Sequence, residues 1–305
     1  MKDFIPKEHK GPRVIKSKSS NQLSDEYRDS IMISYQYLGE AINPDTTFRI
    51  GDYTASTPIM AGPVSMRTIE NDAPELAYAR AVHEAGSVFW SHFFGAENYE
   101  KLLAEGIPAL RVLKPLSDME EIIRNIRHDE ECGAIGYAMD VDHIYSVYGK
   151  MEMSPAVCGS KTVDDIKRIN EASSLPFFLK GIISVHDALI AKEAGVYGIV
   201  LSGHNNRFPC AAPPLRILPE IRKAVGDEMM ILLDGGMNTG YDVFKALALG
   251  ADGVLSARTL LGAMVKEGAD GLTYKLQEMT AELKGAMAVT GSPDLRSINR
   301  SSLVF

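Results

Sequence analysis

The chain predicts an α/β fold, a single (β/α)8 barrel of the TIM type, and three observations point there. Eight short apolar runs recur along 305 residues, and segments with helical spacing separate them. Gly or Pro bounds the runs, as suits parallel strands buried on both faces. The length also agrees with the roughly 250 residues that such barrels use as one domain.

Residues 1–24 are rich in Lys and Ser and read as a loosely held start to a lead-in over 1–44, with the barrel over 45–305. The apolar runs are TPIMAGP, SVFWSH, PALRVL, GAIGYAMD, LPFFLKG, YGIVLSG, MMILLDGG and DGVLSAR. Between them, positions such as Leu76, Ala79, Val82 and His83, or Val243, Ala246, Leu247 and Gly250, recur at helical intervals and suit right-handed crossovers. A doubly wound open sheet is the other arrangement of this alternation, and eight units favour closure. Helical segments at about 269–290 and 293–298 follow the last unit and are expected to pack outside the barrel as extra C-terminal helices.

Composition narrows the function. With 45% hydrophobic and 24% charged residues the chain is ordinary globular material, which excludes disorder and a disulfide scaffold. The formal charge is −8 without a long basic run, so no nucleic-acid partner is expected. Cys132, Cys158 and Cys210 are odd in number and share no CxxC spacing, so no metal site is expected and a reducing cytoplasm suits them. The start of the chain lacks the apolar core of a signal peptide, and no run approaches 18 apolar residues; a cytoplasmic protein without membrane contact is the expectation.

In such barrels the strand C-termini and the loops after them carry the site. That rule singles out Ser65, Ser91, Arg111, Asp140, Lys180, His204, Arg207, Asp234 and Arg258. After the seventh strand, Gly235 and Gly236 let backbone N–H groups approach a phosphate, and Arg258 after the eighth adds a charged contact. DGG also serves as a plain tight turn, and Arg258 as a helix cap. His204 and Arg207 share one loop in SGHNNRF, beside Ser202. An imidazole that takes a proton near neutral pH, next to a guanidinium that fixes an anion, suits proton removal from a small acid. A surface histidine in a polar loop is the alternative. Lys180 ends an apolar run, so its ammonium needs an anion or an electron-rich group such as a reduced flavin near N1. A Schiff-base lysine is the competing use.

Together PIMAGPVSM, LKG, SGHNNRF, DGGMNTGYDVFKALALGADG and the closing AR resemble the FMN-dependent α-hydroxy acid dehydrogenase/oxidase family, the glycolate and lactate oxidase group. The resemblance runs from about residue 45 to the end and is most specific in the second half. It implies FMN as cofactor, a small anionic substrate and a homotetramer. It makes His204 the catalytic base, Arg207 the substrate-carboxylate arginine and Lys180 the lysine beside flavin N1. Ser202 matches a flavin contact, and Gly62, Pro63, Val64 and Ser65 match the loop behind the isoalloxazine ring. Asp234, Gly235, Gly236 and Arg258 match the ribityl and phosphate site. Ser91, Asn238 (where the family has the phosphate-loop arginine) and Ala257 join the cofactor contacts.

The chain also departs from the family. The third strand's Gln-x-Tyr aligns with Ala109 and Arg111, and a Thr-Val-Asp-Thr-Pro segment has become Ala138-Met-Asp140-Val-Asp142. The loop DHIYSVYGKMEMSPAVCG holds no second substrate arginine. Tyr35 or Tyr37 stands near the place of an N-terminal tyrosine. Arg111 is therefore expected to supply the missing charge, with Tyr145, Tyr148 or His143 adding hydrogen bonds; a salt bridge from Arg111 to a neighbouring acid such as Asp140 is the alternative. Trp90 is expected to be packing. The implied activity is oxidation of an α-hydroxy acid or related CH–OH compound. The alternatives are a non-redox FMN isomerase on the same fold and a flavin-binding relative without catalysis.

Overall fold

The computed structural model of the chain describes residues 18–38, 42–66, 74–92, 96–145, 150 and 157–305. Ahead of the barrel stand helix α1 (Ser20–Ser30), strand β1 (Met32–Ile33) and a hairpin of β2 (Phe48–Ile50) and β3 (Tyr53–Ala55). Eight βα units follow. They are β4 (Ile59–Ala61) with α2 (Pro74–Glu84), β5 (Phe89–Ser91) with α3 (Ala96–Ala104), and β6 (Ala109–Leu113) with α4 (Met119–Glu131). Next come β7 (Gly136–Asp140) with α5 (Val163–Asn170), β8 (Phe177–Ile182) with α6 (Val185–Glu193), and β9 (Gly198–Ser202) with α7 (Pro214–Val225). The last two are β10 (Met230–Asp234) with α8 (Gly240–Ala248) and β11 (Gly253–Ser256) with α9 (Arg258–Val289). Strands β4 to β11 close into one parallel barrel, with β11 pairing back onto β4.

Each apolar run thus holds one barrel strand. Successive side chains alternate between two cores because the strand period is two. Met60, Trp90, Leu110, Val112, Ala138, Phe178, Val200, Leu232 and Leu255 fill the barrel interior, closed at one end by Phe48, Ile50 and Ala55 of the hairpin. Their neighbours Ala61, Phe89, Ala109, Tyr137, Phe177, Leu201 and Leu233 face the helices. Trp90 is packing, edge-on to Phe178 with ring centroids 5.3 Å apart. Helix α9 breaks at Gly268 (φ 72°), so the helix of the eighth unit ends there and the extra C-terminal helix begins. A 3-10 turn over Leu295–Ser297 follows, and β12 (Leu303–Val304) pairs antiparallel with β1.

Residues 1–17 of the lead-in lie outside the described residues, and from residue 18 onward the segment is less loose than its composition implies. Helix α1 opens with a capping box between Ser19 and Gln22. The Ser20 hydroxyl donates to the Ala211 carbonyl, and its N–H donates to Asn206 Oδ1. Arg28, buried, donates to the Gly236 carbonyl and pairs with Asp25, Asp29 and Asp242. Asn206, Ala211, Gly236 and Asp242 lie about two hundred residues away, so local composition could not show that the segment is anchored. Among the described residues the cysteines form no disulfide. Among the described residues no helix is long and apolar enough to cross a membrane.

Candidate active site

A cavity of about 350 Å3 opens at the C-terminal ends of the strands. The strand alternation that fills the interior brings Asp140, Lys180, Ser202 and Asp234 to its top, each at the inward phase of its strand. Lys180, 2% exposed, donates to Asp140 Oδ1 at 3.2 Å and lies 3.6 Å from Asp234 Oδ2. Lys114, just beyond β6, donates to the other oxygen of Asp140 at 2.8 Å. The Ser202 hydroxyl donates to Asp234 Oδ2 at 2.7 Å. Burial alone would lower the Lys180 pKa, but Asp140, Asp234 and Asp142 hold it above the usual lysine range. Burial alone would raise Asp140, yet Lys180 and Lys114 hold it below the usual carboxylate range. Both groups are therefore charged at neutral pH.

His204 sits on a strained turn. His204, Asn205 and Asn206 all have positive φ (46°, 55° and 65°), a conformation costly for residues with a Cβ and best tolerated by Asn. The turn is held from outside and inside. Asn205 Oδ1 accepts from Asn21 of α1, Asn206 Oδ1 accepts from the Ser20 N–H, and the His204 N–H donates to Ser202 Oγ. The imidazole Nδ1 lies 3.0 Å from Asp142 Oδ2, and Nε2 lies 3.1 Å from Nε2 of His143. Asp142 packs onto Gly181 (φ 99°), where a Cβ would stand 2.7 Å from the carboxyl carbon. The glycine of LKG thus makes room for the acid that orients His204. Arg207, on the same loop, donates through Nε to the Asp142 carbonyl and through Nη2 to the Tyr145 carbonyl, each at 3.1 Å. Burial, then Lys114, pushes His143 below the usual histidine pKa. Asp140, His143 and His204 present donor atoms within 4.8 Å of one another. Both oxygens of Asp140 are engaged by lysines, so the group reads as a charge network.

The far end of the cavity is made of other material. Gly235, Gly236, Met237, Asn238, Ala257, Arg258 and Thr259 line it, opposite Pro63, Val64 and Ser65. Helix α9 begins at Arg258 with no side-chain cap, so its first-turn N–H groups are available to an anion. By contrast α8 is closed by a capping box between Thr239 and Asp242, and Asp242 also accepts the Asn238 N–H. The Asn238 side chain accepts from Thr259. The anion-binding end is therefore the start of α9, flanked by the glycine turn. Ser20, Asn21, Ser24 and Asp25 of α1 complete this wall. Their part is absent from the sequence reading because no local motif marks it.

Most of the expected cofactor residues thus converge: Pro63, Val64, Ser65, Lys180, Ser202, Asp234, Gly235, Gly236, Asn238, Ala257 and Arg258, together with His204. Gly62 is buried behind the wall, its N–H donating to the Ser256 carbonyl. Two expectations need correction. Arg111 faces away from the mouth: it is 3% exposed, pairs with Asp129 of α4 at 2.8 Å and lies over the Tyr99 ring. Its strand neighbours Leu110 and Val112 take the inward phase, and the cation that reaches the mouth from this strand is Lys114. Ser91 shares the outward phase of Phe89, so His92 takes the inward place. The Tyr145 carbonyl accepts from Arg207 and its side chain is exposed, while Tyr148 lies outside the described residues. Lys114 and Asp142 are the site residues that the expected set lacked, while His143, expected to add hydrogen bonds, lies against His204. The acids beginning the loop DHIYSVYG and the lysine after PALRVL were the available signal.

A closed barrel with a buried lysine in its mouth, an acid-oriented histidine and an uncapped helix start beside a glycine turn defines a phosphate-anchored cofactor enzyme. The cavity lies within the roughly 300–1,000 Å3 usual for such ligands, and its cationic wall and anion-binding end fit FMN. Residues 16–155 and 148–305 match the FMN-dependent dehydrogenase family, and the chain belongs to it. It is 31% identical to glycolate oxidase 3 of Arabidopsis thaliana over 297 residues, covering 85% of this chain and 80% of that protein. It is 30% identical to L-lactate oxidase of Alicycliphilus denitrificans, covering 81% and 77% respectively. A solved mandelate oxidase variant with an FMN adduct superposes with a TM-score of 0.84 at 28% identity, covering 94% of this chain and 91% of that one. The protein is an FMN-dependent oxidoreductase of the hydroxy acid oxidase family.

Proposed function

We propose that the barrel oxidises an α-hydroxy acid or a closely related CH–OH compound, with His204 as base. The observation that carries this reading is the Asp142–His204 pair at 3.0 Å, set at a cavity whose wall holds the buried Lys180 ammonium. The names of the relatives, oxidases of glycolate, lactate and mandelate, support the substrate class. FMN supplies the two-electron acceptor when bound.

Asp142 accepts a hydrogen bond from the Nδ1–H of His204 and so holds the tautomer whose Nε2 lone pair accepts the substrate hydroxyl proton. The same carboxylate stabilises the imidazolium that results. Arg207 is the substrate-carboxylate cation, held beside the base by its bonds to the two loop carbonyls. Lys180 places positive charge where the acceptor gains negative charge. Pro63, Val64 and Ser65 back the ring system, while Gly235, Gly236 and Arg258 with the first turn of α9 hold the phosphate.

The test is the visible spectrum of the purified, FMN-loaded protein under anaerobic addition of a panel of α-hydroxy acids. Bleaching by one acid, lost on His204→Asn, is the expected result. A flavin spectrum unmoved by every acid would overturn the substrate class.

A further inference from the structure

We infer that Asp140 and Lys114 set the electron affinity of the flavin this barrel holds, Asp140 lowering it and Lys114 raising it. The inference rests on the reading above, in which Lys180 is the cation beside the flavin. Lys180 does not present a bare charge to the cavity. Four groups form an alternating row: Lys114 at 2.8 Å from Asp140, Asp140 at 3.2 Å from Lys180, and Lys180 at 3.6 Å from Asp234. Two cations and two anions sum to zero, so the field that Lys180 projects is set by its neighbours as much as by itself.

Asp140 is the centre of that row. Its side chain is 5% exposed, and each oxygen serves a different lysine. It cannot be screened by water as a surface acid is, and charge changes here are felt more strongly than in solvent. Two-electron reduction adds negative charge beside Lys180. A fixed carboxylate one contact behind that lysine opposes the added charge, whereas a second ammonium behind the carboxylate favours it. The row therefore tunes rather than maximises electron affinity. Asp140 also keeps the buried Lys180 ammonium paired when the cavity holds no flavin. That second role is structural, and the signs of two substitutions separate it from the first.

The experiment uses the FMN-loaded protein and its Asp140→Asn and Lys114→Met variants. Each is reduced slowly against a reference dye, and the ratio of reduced to oxidised flavin is read at one fixed potential. FMN affinity and melting temperature are recorded alongside. Asp140→Asn is expected to raise the ratio by about tenfold or more and Lys114→Met to lower it several-fold, with the double variant between them. Ratios that move in the same direction, or do not move, overturn the inference and leave a purely structural role. If Asp140→Asn does not fold, an unchanged ratio in Lys114→Met overturns it alone. Wild-type protein that takes up no FMN would instead overturn the reading on which the inference rests.

Discussion

The two sides of the barrel mouth are built from different materials. On the β10–β11 side, glycines, Thr259 and the uncapped start of α9 at Arg258 line the cavity. On the β6–β9 side, Lys114, Asp140, Lys180, Asp142, His143 and His204 interlock as side chains from four strands and their loops. On the proposed reading the first side would hold the cofactor phosphate largely by shape and fixed dipoles, which a single side-chain change weakens less than it would an ion pair. The second works through charges whose protonation states depend on one another. On the proposed reading, affinity for the cofactor and chemistry on the substrate would be separated in space and in sensitivity to mutation.

The largest test of that separation is His204→Ala. Turnover is expected to fall by about 10²–10⁴-fold while FMN affinity stays within a few-fold of wild type. Loss of both together would show that the two sides are not separable. Next comes Arg111→Ala, outside the mouth altogether. Breaking its buried pair with Asp129 is expected to destabilise the fold by about 3–5 kcal/mol in denaturant titrations. Turnover of the remaining folded protein should be unchanged, and a selective loss would return Arg111 to the site.

On the backbone side, Arg258→Met is expected to weaken FMN binding only about tenfold, since the α9 N–H groups remain. A hundredfold loss in equilibrium dialysis would mean that side-chain charge dominates there too. The smallest effect is one of pH. Burial and Lys114 depress the pKa of His143 below its ordinary 6.5, so the folded state binds fewer protons than the unfolded one. Its contribution is present above about pH 6.5 and lost as pH falls through the folded value. Melting temperature should decline over that range in wild type and less steeply in His143→Asn. Equal slopes would remove His143 from the coupled network.

Legibility from sequence follows the same divide. All eight strands could be placed because each is an apolar run bounded by turn residues, and the barrel follows from counting them. The DGG turn was visible because glycine's conformational role is local. Arg111 and Ser91 were misassigned for a specific reason. A strand buried on both faces shows no alternation, so PALRVL and SVFWSH carry no mark of which residues point inward. A shift of one position exchanges Arg111 for its neighbours and Ser91 for His92, and the mouth cation of β6 proves to be Lys114. Helix α1 was read as loose because its anchors, Ala211, Gly236 and Asp242, are remote in the chain.

By itself, then, the order of residues determined the barrel, the glycine turn after its seventh strand, and the presence of a lysine, a histidine and an arginine at or just beyond strand ends. Local patterns specify these, because periodicity and backbone freedom are properties of short segments. Only the tertiary structure decided which charges meet. The Lys114–Asp140–Lys180–Asp234 row joins β6, β7, β8 and β10, and the His204 turn is clamped by α1 and Asp142. Ion-pair partners are chosen by barrel closure and strand register, which bring together residues up to 120 positions apart in this row, and no local pattern encodes that pairing.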